Sequence, residues 1–402
     1  MTLAFRVYFR RIEVKGRYIM PDEGPVLVAC NHPSSFLEGC LVSCFQDREM
    51  HYLVRGDVFN IKWLRPLLLW TNQIPIYRFR DGFSSLKKNQ STFSTTYKVL
   101  GSGEAVIIYP EGSTELVKQL RPLQKGLARL SMGTISEYPE LPLKVVPVGV
   151  NYNDALHFRS SVIVSVGEAL DAQKYFEDYQ NDERRAFRRI TKDVHEIMSN
   201  HIIHLEDPDE GFADSLLTAA THFGAKKHSG VVLENDAFER QQKVAEYLNQ
   251  LTDEEKHEFA NLDFSGSTTE LDMSVFQDKS GLLRMIGIIL IAPLALSGYI
   301  LNFPAYWIAR YITYEKVPHA EFKPAVRIAV WALGQMITTL VLCLALLAAG
   351  WGWRSLLPVI FPVLGIFTIW WYELYVRYKM LSRYKSRIEE LEKTVAGILK
   401  EI

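Results

Sequence analysis

The chain has 402 residues, a formal net charge of −1 and 23% charged side chains, so nothing in its balance points to bulk nucleic-acid binding. Its length exceeds one ordinary domain and implies at least two regions. A near-zero mean hydropathy hides the main contrast, a polar first half followed by an apolar last third.

The opening stretch, MTLAFRVYFRRIEVKGRYIM, alternates apolar and aromatic residues with Arg6, Arg10, Arg11 and Arg17. It has no apolar run or small-residue cleavage site of the kind a signal peptide carries. Two readings stand side by side: a segment resting on an anionic membrane surface, or an edge strand with a solvated face. Four cysteines are present, Cys30, Cys40, Cys44 and Cys343, without zinc or redox spacing. They fit a reducing cytosol, and no metal or cofactor site is expected.

From residue 25 to about 200, short apolar runs alternate with amphipathic stretches. PVLVACN, HYLVRG, QIPIYRF, EAVIIYPEG, KVVPVGVNY and SVIVSVGEAL read as strands, several apolar throughout and so covered on both faces. Helical spacing is clearest around 61–70, 84–101, 122–137 and 172–203. This pattern predicts an α/β fold, a mixed, mostly parallel sheet flanked by helices, over residues 1–204. Residues 205–280 are acidic, with 17 Asp and Glu against 6 Lys and Arg, and read as a helical linker or cap on the aqueous side.

Residues 281–402 are the membrane-anchoring region. The runs 285–302, 328–351 and 356–376 each hold about 18 or more residues almost free of charge, enough to cross roughly 30 Å of hydrocarbon. Trp351, Trp353, Trp370, Trp371 and Tyr372 sit near their ends, as interfacial anchors do. Basic residues follow the first run (Arg310, Lys316, Lys323, Arg327) and form a basic tail after the third (Arg377 to Arg387). Putting both on the cytoplasmic side is compatible with a re-entrant or interfacial 285–302, which carries Pro293 and Gly298, followed by a transmembrane hairpin of 328–351 and 356–376.

Chemistry is carried by four short segments. CNHPSSFLEG places Asn31 and His32 after an apolar run, with Glu38 six residues beyond the histidine. A histidine takes a proton from an alcohol at neutral pH, and a carboxylate fixes its tautomer. TNQIPIYRFR puts Arg78 just past a strand, YPEGSTE supplies Pro110, Glu111, Gly112, Ser113 and Thr114 after another, and VPVGVNY holds Pro147.

In order and spacing these segments resemble the four motifs of the glycerol-3-phosphate and 1-acylglycerol-3-phosphate acyltransferase family (PlsC-like), over roughly residues 10–200. PLQKGLARLS and VPVGVNY further resemble the bacterial branch with a C-terminal hydrophobic region. The resemblance implies a membrane-bound O-acyltransferase of phospholipid synthesis. His32 would be the general base, Glu38 its orienting acid and Arg78 the ligand of the acceptor phosphate. Glu111, Gly112, Ser113 and Thr114 would line the acceptor pocket, with Pro147 shaping the fold. The donor would be acyl-CoA or acyl-carrier protein, and the acceptor glycerol-3-phosphate, lysophosphatidate or another lysolipid. Membrane lipids would be its partners and the cytoplasmic face of a bacterial inner membrane its location.

Two features depart from the family pattern. The acid commonly stands five residues after the histidine and is Asp; here that position is Leu37 and the acid is Glu38. The third motif also lacks a following Arg, a charge that Lys118, Arg121 or Lys125 would have to supply. A decayed acyltransferase domain serving as a membrane scaffold is the competing reading. His51, His157, His201, His204 and His257 have no partner at catalytic spacing and read as structural. Gly101-Ser-Gly103 reads as a turn, and 271–276 as a packing patch.

Overall fold

The computed structural model describes residues 2–77, 83–207, 211–223, 230–233, 236–273 and 281–401. Its strands are β1 (Arg11–Lys15), β2 (Val26–Cys30), β3 (Met50–Arg55), β4 (Gln73–Ile76), β5 (Ala105–Ile108), β6 (Lys144–Tyr152), β7 (Ser161–Val166), β8 (Leu170–Asp171) and β9 (Gly230–Leu233). They form one sheet in the order β4-β3-β5-β2-β6-β7-β1-β9, with β8 paired to β6. β6 runs antiparallel to β7 and β8, and all other pairs are parallel. The centre of the sheet is apolar on both faces, and β2 and β5 have every residue buried. That is why VLVAC and AVII show no polar alternation.

Helices cover both faces. On one side lie α1 (Thr2–Tyr8) and α2 (Leu37–Cys44), with Phe5, Phe9, Leu37 and Leu41 in the core. α3 (Arg65–Trp70) lies in the crossover from β3 to β4. On the other side lie α4 (Phe83–Gly101), α5 (Gly126–Glu137), α6 (Phe176–Asn181) and α7 (Glu183–Ser199). α7 buries Ala186, Phe187, Ile190, Val194 and Met198, the one-sided stripe of a helix laid on a sheet.

The helix expected over 172–203 is divided. Asp182 adopts extended dihedrals (φ −149°, ψ 96°), and its carboxylate accepts from Arg185 N, so a new helix is capped there. The stretch 61–70 likewise becomes α-helix only from Arg65, after a run of turns.

The N-terminal segment is not the edge strand of the second expectation. β1 is an interior strand between β7 and β9, and Arg10 and Arg11 are buried. Arg11 faces Glu13 at 2.5 Å, and Arg10 donates to the Asp272 carbonyl. The alternation marks a strand whose charged side chains are met by partners within the fold.

The acidic segment contributes β9 and the helices α8 (Gly211–His222), α9 (Ala237–Gln250), α10 (Asp253–Glu258) and α11 (Thr268–Met273). Phe212, Leu216, Phe238, Leu248 and Leu271 share a core with Val376, Met380, Leu391 and Val395 of the last helix. The remaining helices are α12 (Gly281–Tyr311), α13 (Lys323–Ala348) and α14 (Phe361–Glu401). Three helical segments, Gly281–Lys316, Ala320–Ala348 and Gly352–Lys400, are long and apolar enough to cross a membrane. Along them Leu290, Leu340 and Ile360 are exposed to the surroundings.

α12 and α14 run antiparallel in close contact. Trp371 Nε1 donates to the Ile288 carbonyl at 3.0 Å, Thr368 Oγ1 to Ala295 at 2.9 Å, and Asn302 Nδ2 to Phe361 at 2.8 Å. Gly298 faces the Leu364 backbone where a β-carbon has no room, so the approach itself requires glycine.

Candidate active site

The site is assembled where β2, β5 and β6 hand over to loops at one end of the sheet. Asn31 follows β2 and bridges to β6. Its Nδ2 donates to the Val150 carbonyl at 3.0 Å, and its Oδ1 accepts from Val150 N at 2.8 Å. The side chain replaces a missing pair of ladder bonds and pins the next residue, His32, at the strand mouth.

His32 is nearly buried, and its Nδ1 lies 3.2 Å from Glu38 Oε2. Glu38 is wholly buried in the first turn of α2, where acidic side chains suit the helix dipole. Its Oε1 accepts from Ser34 N at 2.6 Å and from the Tyr152 hydroxyl at 3.3 Å. These bonds hold the carboxylate toward the imidazole. Burial, then Glu38, pushes the Tyr152 hydroxyl well above its usual range, so it stays protonated as a donor. The proton positions follow from this network: with Nδ1–H aimed at a carboxylate, Nε2 is left with its lone pair. Among the described residues Nε2 has no hydrogen-bond partner.

The extra residue between histidine and acid has a local explanation. Ser35 takes a left-handed conformation (φ 54°), so the chain makes a tight turn between Pro33 and the start of α2 at Leu37. Leu37 points into the core, and the longer Glu38 side chain reaches back to the imidazole.

The third motif supplies the other wall. Glu111 is buried, and its Oε2 accepts from His32 N at 3.0 Å and from Arg121 Nη2 at 2.5 Å. Its Oε1 accepts from Arg121 N at 3.1 Å. Arg121 also donates to Ser113 Oγ at 2.7 Å, to the Ser113 carbonyl at 2.5 Å and to Glu115 at 3.1 Å. The chain can double back here because Gly112 takes a positive φ of 76°. Of the three cations considered for this motif, Arg121 is the one at the site; Lys118 is paired with Asp214, and Lys125 is exposed.

Two contributors carried no signal in spacing. The Tyr109 ring stacks on the His32 imidazole at 3.9 Å between centroids and 13° between planes. Tyr152 holds Glu38 from strand β6. A tyrosine directly before Pro-Glu-Gly and another closing an apolar strand were the only traces of either in the sequence.

Gly112, Ser113 and Thr114 form the turn beside Glu111, Thr114 being half-buried. Pro110 is buried, and its carbonyl accepts from Gln124 N at 2.7 Å. Pro147 is opposite Ala29 in the sheet, and its carbonyl accepts from Gly167 N at 2.8 Å. Arg78 lies outside the described residues. No cluster of three or more His, Cys, Asp or Glu with metal-holding geometry occurs among the described residues.

The last region of the chain reaches this site. Ser34 Oγ donates to the Glu321 carbonyl at 3.4 Å, and Ile328 of α13 belongs to the core cluster of α2 and β2. The other histidines are held elsewhere: His201 by Ser165 at 2.8 Å and His157 by Asp154 at 2.6 Å, while His204 Nδ1 accepts from Leu120 N at 3.3 Å.

Residues 11–151 match the family model described as Acyltransferase. Glycerol-3-phosphate O-acyltransferase 1 of Saccharomyces cerevisiae is 24% identical over 258 residues, which cover 60% of this chain and 34% of that protein. The 1-acyl-sn-glycerol-3-phosphate acyltransferase of Bacillus subtilis is 26% identical over 162 residues, 40% of this chain and 73% of that protein. The chain thus spans about a third of the length of the yeast relative. Among solved structures, the 1-acyl-sn-glycerophosphate acyltransferase PlsC from Thermotoga maritima aligns over 48% of this chain and 73% of that one, with 16% identity and a TM-score of 0.35.

Proposed function

We propose, from the premise that residues 11–151 are a domain of the Acyltransferase family, that this chain moves a fatty acyl group from a thioester to a hydroxyl of a glycerol phosphate or lysolipid. The observation that carries the reading is the His32–Glu38 pair, with Nδ1 turned to the carboxylate at 3.2 Å and Nε2 left without a partner among the described residues. Nε2 removes the proton of the acceptor hydroxyl as its oxygen attacks the thioester carbonyl. The tetrahedral intermediate collapses with loss of the thiolate, which recovers that proton from the imidazolium. Glu38 holds the ring through Nδ1. The thioester is already activated, so the route involves no covalent enzyme intermediate. A positioned base contributes about a hundred- to ten-thousand-fold.

Glu111 and Arg121 act as positioning residues in this scheme. Arg121 is committed to Glu111, Ser113 and Glu115. Arg78 is the acceptor-phosphate ligand that the family resemblance implies, since a guanidinium binds phosphate in a bidentate fork. The names of the yeast and Bacillus relatives support glycerol-3-phosphate or lysophosphatidate as acceptor. Mass spectrometry of the lipids formed from each acceptor, with acyl-CoA and then with acyl-carrier protein, tests the reading. A new acylated glycerol phosphate is the expected product, and no acylated product from any combination favours the scaffold alternative.

The same reading makes the chain an integral membrane protein with this domain on the cytoplasmic face and the first apolar segment re-entrant. Residues 287–302 descend alongside α14, whose Glu373 meets Arg159 of the acyltransferase domain at 2.7 Å. Beyond them Gly334 of α13 approaches Ala305, and Arg327 bonds Tyr314 at 2.9 Å. The start of α13 in turn packs on the core beside His32. Both ends of the segment are thereby tied to the same domain, and between them α12 runs as one helix through Pro293 and Pro304.

A further inference from the structure

The crossover from β3 to β4 carries an apolar stripe that the catalytic reading does not use. Trp63 is 77% exposed, Leu67 48%, Leu69 54% and Trp70 81%, while Leu68 alone turns into the core at 7%. Trp63, Leu67 and Trp70 recur at spacings of four and three, so they stand on one face of a single helical path. Backbone bonds from Arg65 N and Leu64 N to the Ile61 carbonyl, both 3.0 Å, extend that path upstream of α3. Lys62 and Arg65 are exposed on the same short segment.

Large side chains exposed together in this way mark an interaction surface. Two indoles, leucines and flanking cations are the composition of a segment that lies at a membrane–water boundary. Its place in the fold agrees. β3 and β2 are both parallel to β5, so Arg55, which leads into this crossover, ends at the same edge of the sheet as Cys30, which leads to His32. That is the edge on which Glu321, from the loop between the apolar helices, bonds Ser34.

We infer that residues 61–70 are a second membrane contact, in which Trp63, Leu67 and Trp70 enter the headgroup–acyl boundary while Lys62 and Arg65 meet anionic lipid. The occupant is the bilayer that holds α12, α13 and α14, so the inference rests on the membrane reading above. Its consequence is orientation: with contacts on two sides of the His32 mouth, the site faces the lipid plane and takes its acyl acceptor or releases its product there.

The test uses the full chain in lipid nanodiscs containing anionic phospholipid, with Cys44→Ser and Cys343→Ser. A nitroxide is placed at Trp63→Cys, at Leu67→Cys or, as a control, at Lys192→Cys on α7, where the side chain is 74% exposed. The expected result is an oxygen-to-nickel accessibility ratio several-fold higher at 63 and 67 than at 192. As a check that spares the fold, the Trp63→Phe/Trp70→Phe variant should show less quenching of its tryptophan emission by shallow brominated lipid than the unsubstituted chain, the remainder coming from the tryptophans of the apolar helices. Entry into the discs with position 63 as open to the nickel chelate as position 192 overturns the inference alone. So does a dipolar signal between copies that places the patch against a second chain. Failure to enter the discs overturns the membrane reading itself.

Discussion

Glu111 and Arg121 stand 2.5 Å apart in a nearly buried ion pair, and the same carboxylate oxygen accepts the backbone N–H of His32. The position of the proposed base therefore depends on a charge pair ten residues long in sequence and closed by the turn at Gly112.

Arg121→Met should leave Glu111 buried and uncompensated. Breaking such a pair costs about 3–5 kcal/mol. A lowered melting temperature and a loss of acyl transfer are expected together. Glu111→Gln/Arg121→Met should recover part of the stability without restoring activity. Equal stability of the single and double variants would show that the pair is not coupled as described.

Glu38 offers a sharper separation of orientation from folding. Glu38→Gln keeps the side-chain length but presents an amide to Nδ1, which favours the wrong tautomer. Turnover should fall about a hundred-fold or more, with the Michaelis constant for the acceptor little changed. Glu38→Asp should fall less if the carboxylate still reaches the ring. A Glu38→Gln enzyme with normal turnover would remove the carboxylate from the scheme.

How far the sequence alone foretold this site varies with the kind of contact. The sheet was readable because β2, β5 and β6 are apolar on both faces, and His32, Glu38 and Glu111 stood out because their segments resemble the family's motifs in order and spacing. Tyr109 and Tyr152 were not. Their roles depend on which strands become neighbours, and nothing local states that β5 and β6 flank β2. The N-terminal arginines were unreadable for a similar reason: Arg10 reaches Asp272 only through the fold, and Arg11 is buried with Glu13 of its own strand because β1 lies inside the sheet. The acidic stretch likewise gave no sign that a four-residue piece of it would pair with β1.

A pH-dependent contribution should come from the pair Asp154–His157. The Asp154 hydrogen bond raises the His157 pKa above its ordinary value of 6.5. Burial works to raise the Asp154 carboxyl, but hydrogen bonds from His157, Thr268 and Thr269 outweigh it and bring it below 3.8. A raised histidine stabilises fully below its unfolded pKa and loses this as pH climbs through the folded one. A depressed carboxylate stabilises above its unfolded pKa and loses this as pH falls through the folded one. The pair therefore contributes most between about pH 4 and pH 6.5. Melting curves of the chain and of His157→Gln should differ in that window and converge as pH rises beyond it; a difference constant up to pH 9 would contradict the assignment. His157 is largely exposed, so the effect should be small.

The proposed re-entrant path makes a directional prediction. A single reactive cysteine replacing Lys316, with the other accessible cysteines removed, should be labelled from the side that carries residues 11–151. Labelling only from the opposite side would mean that α12 crosses completely.

The most direct measurement is acyl transfer by His32→Ala in purified, lipid-reconstituted protein, with glycerol-3-phosphate and lysophosphatidate as acceptors. The account predicts a loss of at least about a hundred-fold in turnover, with lipid association and melting temperature retained. Transfer at an undiminished rate would contradict it, because the scheme assigns the proton transfer to His32 alone.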